Sequence, residues 1–140
     1  MGKQKFSKIL IPLDGSKSSL RGLKFGIDLA KYADSTIVGI NIYKIPSFIH
    51  SSNFVAEKKF QSKKILEFAK KISEKYNVHF INKSQRSDNI GKAIVAFAEK
   101  NCIDLIVIGS RGPDPEGGLF LGSVANYVVH KSKIPVTIIK

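Results

Sequence analysis

A chain of 140 residues, 43% of them hydrophobic, has apolar material for one real core and no room for a second domain. Its 23 basic residues outnumber 11 acidic ones, giving a net charge of +12 that favours contact with polyanions without saying which. The single cysteine, Cys102, excludes a disulfide framework and a metal site made of cysteine alone; just before a strand-like run it reads as an inert reduced thiol. Met1 to Lys8 is basic but no long apolar segment follows before Pro12 and Asp14, so neither a signal peptide nor a membrane span is expected and a cytoplasmic location is.

Phe6 to Leu13 is apolar and partly β-branched, which predicts a first strand broken by Pro12-Leu13-Asp14-Gly15-Ser16. Leu20, Leu23, Ile27 and Ala30 then recur at helical spacing across Ser18 to Tyr32. Thr36 to Ile42 is a second strand, and Lys44 to Asn53, with Pro46 and several serines, is a connection. From about Val55 to Tyr76 the pattern is helical, with Ile65, Phe68, Ala69, Ile72 and Tyr76 as an apolar stripe and lysines 58, 59, 63, 64, 70, 71 and 75 on the solvated side. Val78 to Asn82 is a third strand. Asp88 or Asn89 can cap a helix from Ile90 to Lys100 that turns Ile94, Phe97 and Ala98 inward. Leu105 to Ile108 is a fourth strand, a glycine-bearing loop ends near Gly122, Val124 to His130 is helical, and Pro135 to Ile139 is a fifth strand.

Strands alternating with helices imply βα units, whose right-handed crossovers require a mostly parallel sheet covered on both faces, an α/β fold in three layers. Ligands of such folds collect beyond the carboxyl ends of the strands, where strand order reverses. If strands one and four flank that reversal, Asp14 and Gly109 stand at opposite lips of one crevice.

Gly109, Gly112 and Gly122, followed by Ser123, lie in the connection from the fourth strand to the last helix, the composition a loop needs to lay main-chain amides against phosphates. Gly109 and Gly112 admit positive φ and remove side chains that would hold a phosphate away. At the helix start, the Ser123 hydroxyl and the unpaired amides of the first turn favour an anion. Arg111 adds a cation or points into water. A glycine-rich turn without any ligand has the same spacing. The loop is not a P-loop, since no lysine follows at the position that reaches a γ-phosphate, and no G-x-G-x-x-G follows the first strand.

Asp14 could accept ribose hydroxyls, hold a divalent ion with phosphate oxygens, or cap the helix that begins after Ser16. Ser16 and Ser18 could bring hydroxyls to the same end, while Leu13 and Ile42 could wall a base. His50, His79 and His130 lack the spacing of a metal trio, and Asp14 has no histidine partner, so no dedicated fast catalytic centre is visible. Zinc-finger spacings, aromatic RNA-binding strings and KH-type loops are also missing, which leaves weak, salt-sensitive nucleic-acid binding as the polyanion option.

Together, Lys8-Ile-Leu-Ile-Pro-Leu-Asp14, Asp104-Leu-Ile-Val-Ile-Gly-Ser-Arg-Gly112, Leu121-Gly-Ser-Val-Ala-Asn-Tyr-Val-Val129 and Ile134-Pro-Val-Thr-Ile-Ile139 make a chain that resembles the universal stress proteins, specifically their ATP-binding branch, over nearly its whole length. That family's motif of glycine, two residues, glycine, nine residues, glycine and serine falls on Gly109, Gly112, Gly122 and Ser123. The resemblance implies a Rossmann-like three-layer α/β/α fold of the adenine-nucleotide alpha-hydrolase kind, one domain with an open five-stranded parallel sheet in the order 3-2-1-4-5. It implies ATP, or AMP, held between strands one and four: the residues around Leu13 and Ile42 facing the adenine, Asp14 on the ribose and a Mg²⁺ or Mn²⁺ ion, Gly112, Gly122, Ser123 and Val124 on the phosphates, and Pro12, Ser16, Gly109 and Arg111 among the nucleotide-binding residues. It further implies a homodimer through the last strand, a protein partner in stress response, and regulatory binding in place of rapid catalysis.

Two departures bear on the ligand. Asn41 stands where many relatives carry histidine, and the insert Pro113 to Leu121 brings Asp114 and Glu116 near the expected phosphates, where they could bind metal or favour AMP over ATP. Three readings follow: an adenine-nucleotide-binding regulator, a slow metal-dependent ATPase, and a nucleotide-independent protein or polyanion binder that works through the lysine-rich helix.

Overall fold

The computed structural model describes residues 6–111 and 121–140. In chain order the elements are β1 (Lys8–Pro12), α1 (Lys17–Ala33), β2 (Thr36–Tyr43), α2 (Ser52–Lys75), β3 (Phe80–Arg86), α3 (Ile90–Lys100), β4 (Leu105–Gly109), α4 (Ser123–Lys131) and β5 (Val136–Ile139). The strands form one sheet in the order β3-β2-β1-β4-β5, and every neighbouring pair is parallel.

β1 from Ile9 to Pro12 and the whole of β4 are apolar because both of their faces are covered. In β1, Ile9 and Ile11 join a core with Leu23 and Ile27 of α1 and Leu66 and Ala69 of α2, while Leu10 points to the opposite core, with Ile94 and Ala98 of α3 and Ala125 and Val128 of α4. β4 alternates in the same way, with Leu105 and Val107 on the first side and Ile106 and Ile108 on the second. Helices α1 and α2 therefore cover one face and α3 and α4 the other, the three-layer arrangement expected.

β3 departs from the expected strand. It runs from Phe80 to Arg86, not from Val78 to Asn82, and its register carries it to the pair Tyr43 and Arg86. Val78 instead belongs to the turn that leaves α2, where its amide donates to the Ser73 carbonyl at 3.0 Å and Asn77 has a φ of 61°. The strand continues through polar residues because it is an edge, exposed from Ile81 to Arg86, where hydrophobic patterning carries no signal.

α2 also differs. It starts at Ser52, with the Ser51 hydroxyl accepting from the Phe54 amide at 3.3 Å, so serines read as connection are the helix cap. Its buried stripe is Ser62, Leu66, Ala69 and Ser73, and the expected core residues Phe68 and Tyr76 are 59% and 47% exposed. Small residues bring the helix close to the sheet: Ser73 Oγ donates to the Ala69 carbonyl at 3.0 Å, and the Ser62 and Ser84 hydroxyls bond across to β3 at 2.6 Å. Cys102 occupies the turn between α3 and β4 with a φ of 55° and is exposed. Asn89, not Asp88, caps α3 through the Lys92 amide at 3.0 Å.

Candidate functional site

β1 pairs with β2 on one side and β4 on the other, so chain order reverses at β1 and the carboxyl ends of β1 and β4 border one crevice. A cavity of about 330 Å³ lies there. Pro12, Leu13, Asp14, Ile42, Gly109, Arg111, Gly122, Ser123 and Val124, all expected at a ligand site, line it together. Gly112, Pro113, Asp114 and Glu116 lie outside the described residues. The lining also includes Ser19, Ile40, Ile90, Ile94, Ile108 and Ala125, which were not expected. Ile40 is two positions from Ile42 on the same strand face, and Ile90 and Ile94 are one helical turn apart, so periodicity marked these residues as apolar without separating cavity wall from core.

The cavity has an apolar and a polar end. Leu13, Ile40, Ile42, Ile90, Ile94 and Ile108 are the apolar walls; Asp14, Ser19, Arg111 and Ser123 are the polar side chains. Asp14 is exposed at the mouth, its Oδ1 accepting the Ser16 amide at 2.8 Å while its own amide donates to Ser19 Oγ at 3.3 Å. One carboxylate oxygen thus fixes the turn into α1, through Gly15 at a φ of 85°, and holds the group at the cavity lip.

Ser16 does not line this cavity. Its hydroxyl accepts from the Ser19 amide at 3.1 Å as the cap of α1, and its carbonyl accepts from Ser19 Oγ at 3.1 Å. Ser18 is buried, with Oγ accepting from the Arg111 amide at 3.1 Å. Each hydroxyl thus accepts one amide of the protein's own backbone and keeps its O–H as a donor. Gly109 is likewise needed for a different reason than expected. Its φ is not positive, Gly15 being the one such glycine among the described residues; a Cβ on Gly109 would sit 2.5 Å from both the carbonyl oxygen and Oγ of Ser18.

Gly122 caps α4 with extended backbone and no side-chain hydrogen bond, and its amide donates to the Ser110 carbonyl at 2.8 Å. The amides of a first helical turn lack intrahelical partners and carry the positive end of the helix dipole, and Ser123, Val124 and Ala125 of that turn line the cavity. This end of the cavity is built to receive negative charge. Among the described residues no group of three or more histidine, cysteine, aspartate or glutamate side chains is placed to hold a metal ion.

Residues 5–140 match the Universal stress protein family. The chain belongs to the universal stress protein family. A universal stress protein of Methanocaldococcus jannaschii is 32% identical over 99% of this chain and 85% of its own length. Among solved structures, a universal stress protein of Lactobacillus plantarum superposes with a TM-score of 0.87 at 18% identity, covering 99% of this chain and 100% of that one. That of Archaeoglobus fulgidus in complex with dAMP superposes with a TM-score of 0.72 at 23% identity, covering 98% and 100%.

Within this family framework Asn41 has a defined structural task. It is buried, and its Nδ2 donates to the Leu13 carbonyl at 2.6 Å while the Leu13 amide donates to the Ile40 carbonyl at 2.8 Å, clamping the end of β1 to β2 at the cavity wall. Asn41→Ala strips a buried carbonyl of its donor and is expected to destabilise the fold by about 1–3 kcal/mol. Urea unfolding of both proteins measures it; an unchanged midpoint would show that the clamp contributes nothing.

Proposed function

We propose that this universal stress protein is an adenine-nucleotide-binding regulator of stress response, with ATP as the ligand and AMP as its shorter alternative. The observation that carries this reading is the polarity of one cavity: isoleucine and leucine walls for a base at one end, the open amides of α4 with Arg111 and Ser123 for phosphates at the other, and Asp14 between them for the ribose or a phosphate-bound Mg²⁺ or Mn²⁺ ion. The complex of the Archaeoglobus fulgidus relative with dAMP has the same ligand chemistry. Pro12, Leu13 and Ile42 meet the base in this reading; Gly109, Gly112, Gly122, Ser123 and Val124 surround the phosphates.

Among the described lining residues Asp14 has no histidine or second carboxylate beside it, and in this reading the nucleotide is held as a signal with turnover absent or slow. β5 is an edge of the sheet, and its half-buried Val136 to Ile139 edge is the surface proposed for pairing with a second copy.

Calorimetric titration with ATP, AMP and GTP, with and without Mg²⁺, tests the nucleotide reading. The expected result is saturable adenylate binding that Asp14→Ala weakens about tenfold or more, the loss of charged hydrogen bonds to a ribose or metal. Mass spectrometry of small molecules released by heating the purified protein should identify the same adenylate. Binding that ignores Asp14, or a cavity that takes no nucleotide at millimolar concentration, would overturn it.

A further inference from the structure

We propose that the outer face of α2 and the adjoining edge strand β3 form a docking surface for single-stranded nucleic acid, distinct from the nucleotide cavity and independent of the reading given to it. Residues 52–86 contain nine basic and three acidic side chains, a net +6, half of the chain's +12 in a quarter of its length. Charge alone attracts any polyanion, so the selective feature is what lies among the lysines. Phe60 and Phe68 are each 59% exposed, although the buried side of α2 is complete without them. Two helical turns separate them, about 12 Å along the axis. The ammonium of Lys64, between them in sequence, sits 5.6 Å from the centroid of the Phe60 ring.

A groove of about 540 Å³ begins beside this ring, with Phe60, Lys63, Lys64, Leu66 and Glu67 of α2 on one side and Asn82 and Ser84 of β3 on the other, two ammonium groups against one carboxylate. Arg86, exposed and two positions beyond Ser84 on the same face of β3, extends the positive charge along the strand. An exposed aromatic ring in a basic groove, here Phe60, is what an unpaired base stacks on while its phosphates meet the lysines; Phe68 lies outside that groove, on the flank of α2 beside Lys17 and Leu20, and offers a second ring on the outer face. A duplex keeps its base faces stacked inside and would use only the charge. An anionic bilayer fits less well, because the apolar side of α2, Leu66 and Ala69, is already packed on the sheet and the outward phenylalanines are separated by lysines and Glu67. None of the residues lining the nucleotide cavity comes from α2 or β3.

Fluorescence anisotropy on the full chain tests this with a labelled oligouridine, a labelled RNA duplex and, by co-sedimentation, phosphatidylserine vesicles. Expected are tighter binding of the single strand than of the duplex, weakening as salt rises, and about a tenfold loss in the double variant Phe60→Ala/Phe68→Ala, whose net charge is unchanged. Lys63→Glu/Lys64→Glu should weaken binding more than Lys92→Glu/Lys131→Glu, which makes the same charge change on the opposite face of the sheet. Because all six substituted side chains are exposed, circular dichroism should report an intact fold. Equal binding of duplex and single strand with no effect of the phenylalanine variants, equal loss from both charge reversals, vesicle binding without oligouridine binding, or no binding at all would each overturn the proposal. Loss of ATP binding with oligouridine binding intact would strike only the nucleotide reading.

Discussion

Gly122→Asp should weaken ATP binding on the order of 100-fold while leaving the protein as stable as before, or slightly more so. The two effects come from the same atom group. Gly122 has a φ of −64° and a ψ of 162°, extended backbone open to any residue, and it caps α4 without a side-chain hydrogen bond. Aspartate is among the best capping residues, because its carboxylate accepts the second or third amide of the helix and lies at the positive end of the dipole. Those are the amides offered to phosphate in the proposed complex, so the carboxylate occupies the phosphate's place with the phosphate's own charge. Repulsion between unit charges about 4 Å apart amounts to about 4 kcal/mol at an effective dielectric constant near 20, reduced here by solvent at the cavity mouth.

Calorimetry and thermal melting on the same preparation separate the outcomes. Retained ATP affinity would mean that the start of α4 does not hold phosphate. A large fall in Tm would mean that glycine at this position serves the fold and not the ligand. Gly122→Asn is the charge-neutral control: it caps equally well and should cost far less affinity than the aspartate.

The fold was legible wherever burial on both faces forced unbroken apolar runs. Ile9 to Ile11 and Leu105 to Ile108 stand out as central strands because no solvent-facing position interrupts them, and the boundaries of α3 were readable from Asn89 and the periodic residues after it. β3 was not, since a solvated edge strand asks little of its side chains and Asn82 to Arg86 resemble loop. On α2, Phe68 and Tyr76 fall near the border of a helical stripe, and only the packing of Ser62 and Ser73 against the sheet decides that serine is inside and phenylalanine out.

The cavity divides along similar lines. Its polar lip was visible in Asp14, Arg111 and Ser123, polar side chains at the ends of apolar runs. Its apolar wall was only half visible, because an isoleucine that faces a cavity and one that faces another side chain leave the same periodic trace, as Ile90, Ile94 and Ile108 do. The serines show tasks that the sequence does not announce. Ser16 and Ser18 have hydroxyls near the site in sequence, yet one caps α1 and the other holds the Arg111 amide. Partners of that kind, 93 residues apart in the second case, are set by tertiary contact and have no local signature.

The same approach of Ser18 to the end of β4 gives a large expected stability effect. Gly109→Ala should destabilise the fold by about 3 kcal/mol, at the severe end of overpacking, and lower Tm by roughly 10 °C. The new Cβ would lie 2.5 Å from the Ser18 carbonyl oxygen, 2.5 Å from its Oγ and 2.7 Å from its carbonyl carbon. Two of these atoms are backbone in the first turn of α1 and cannot rotate away, so α1 and the end of β4 must separate, and with them Asp14 and Arg111 at the cavity mouth. Ser18→Ala in the same background removes the Oγ contact but not the carbonyl contacts, and should therefore restore only part of the loss, less the hydrogen bond to Arg111 that it sacrifices. If Gly109→Ala melts at the parent temperature, β4 and α1 do not approach as described. If Ser18→Ala restores it fully, the hydroxyl alone, not the helix backbone, dictates glycine at the end of β4.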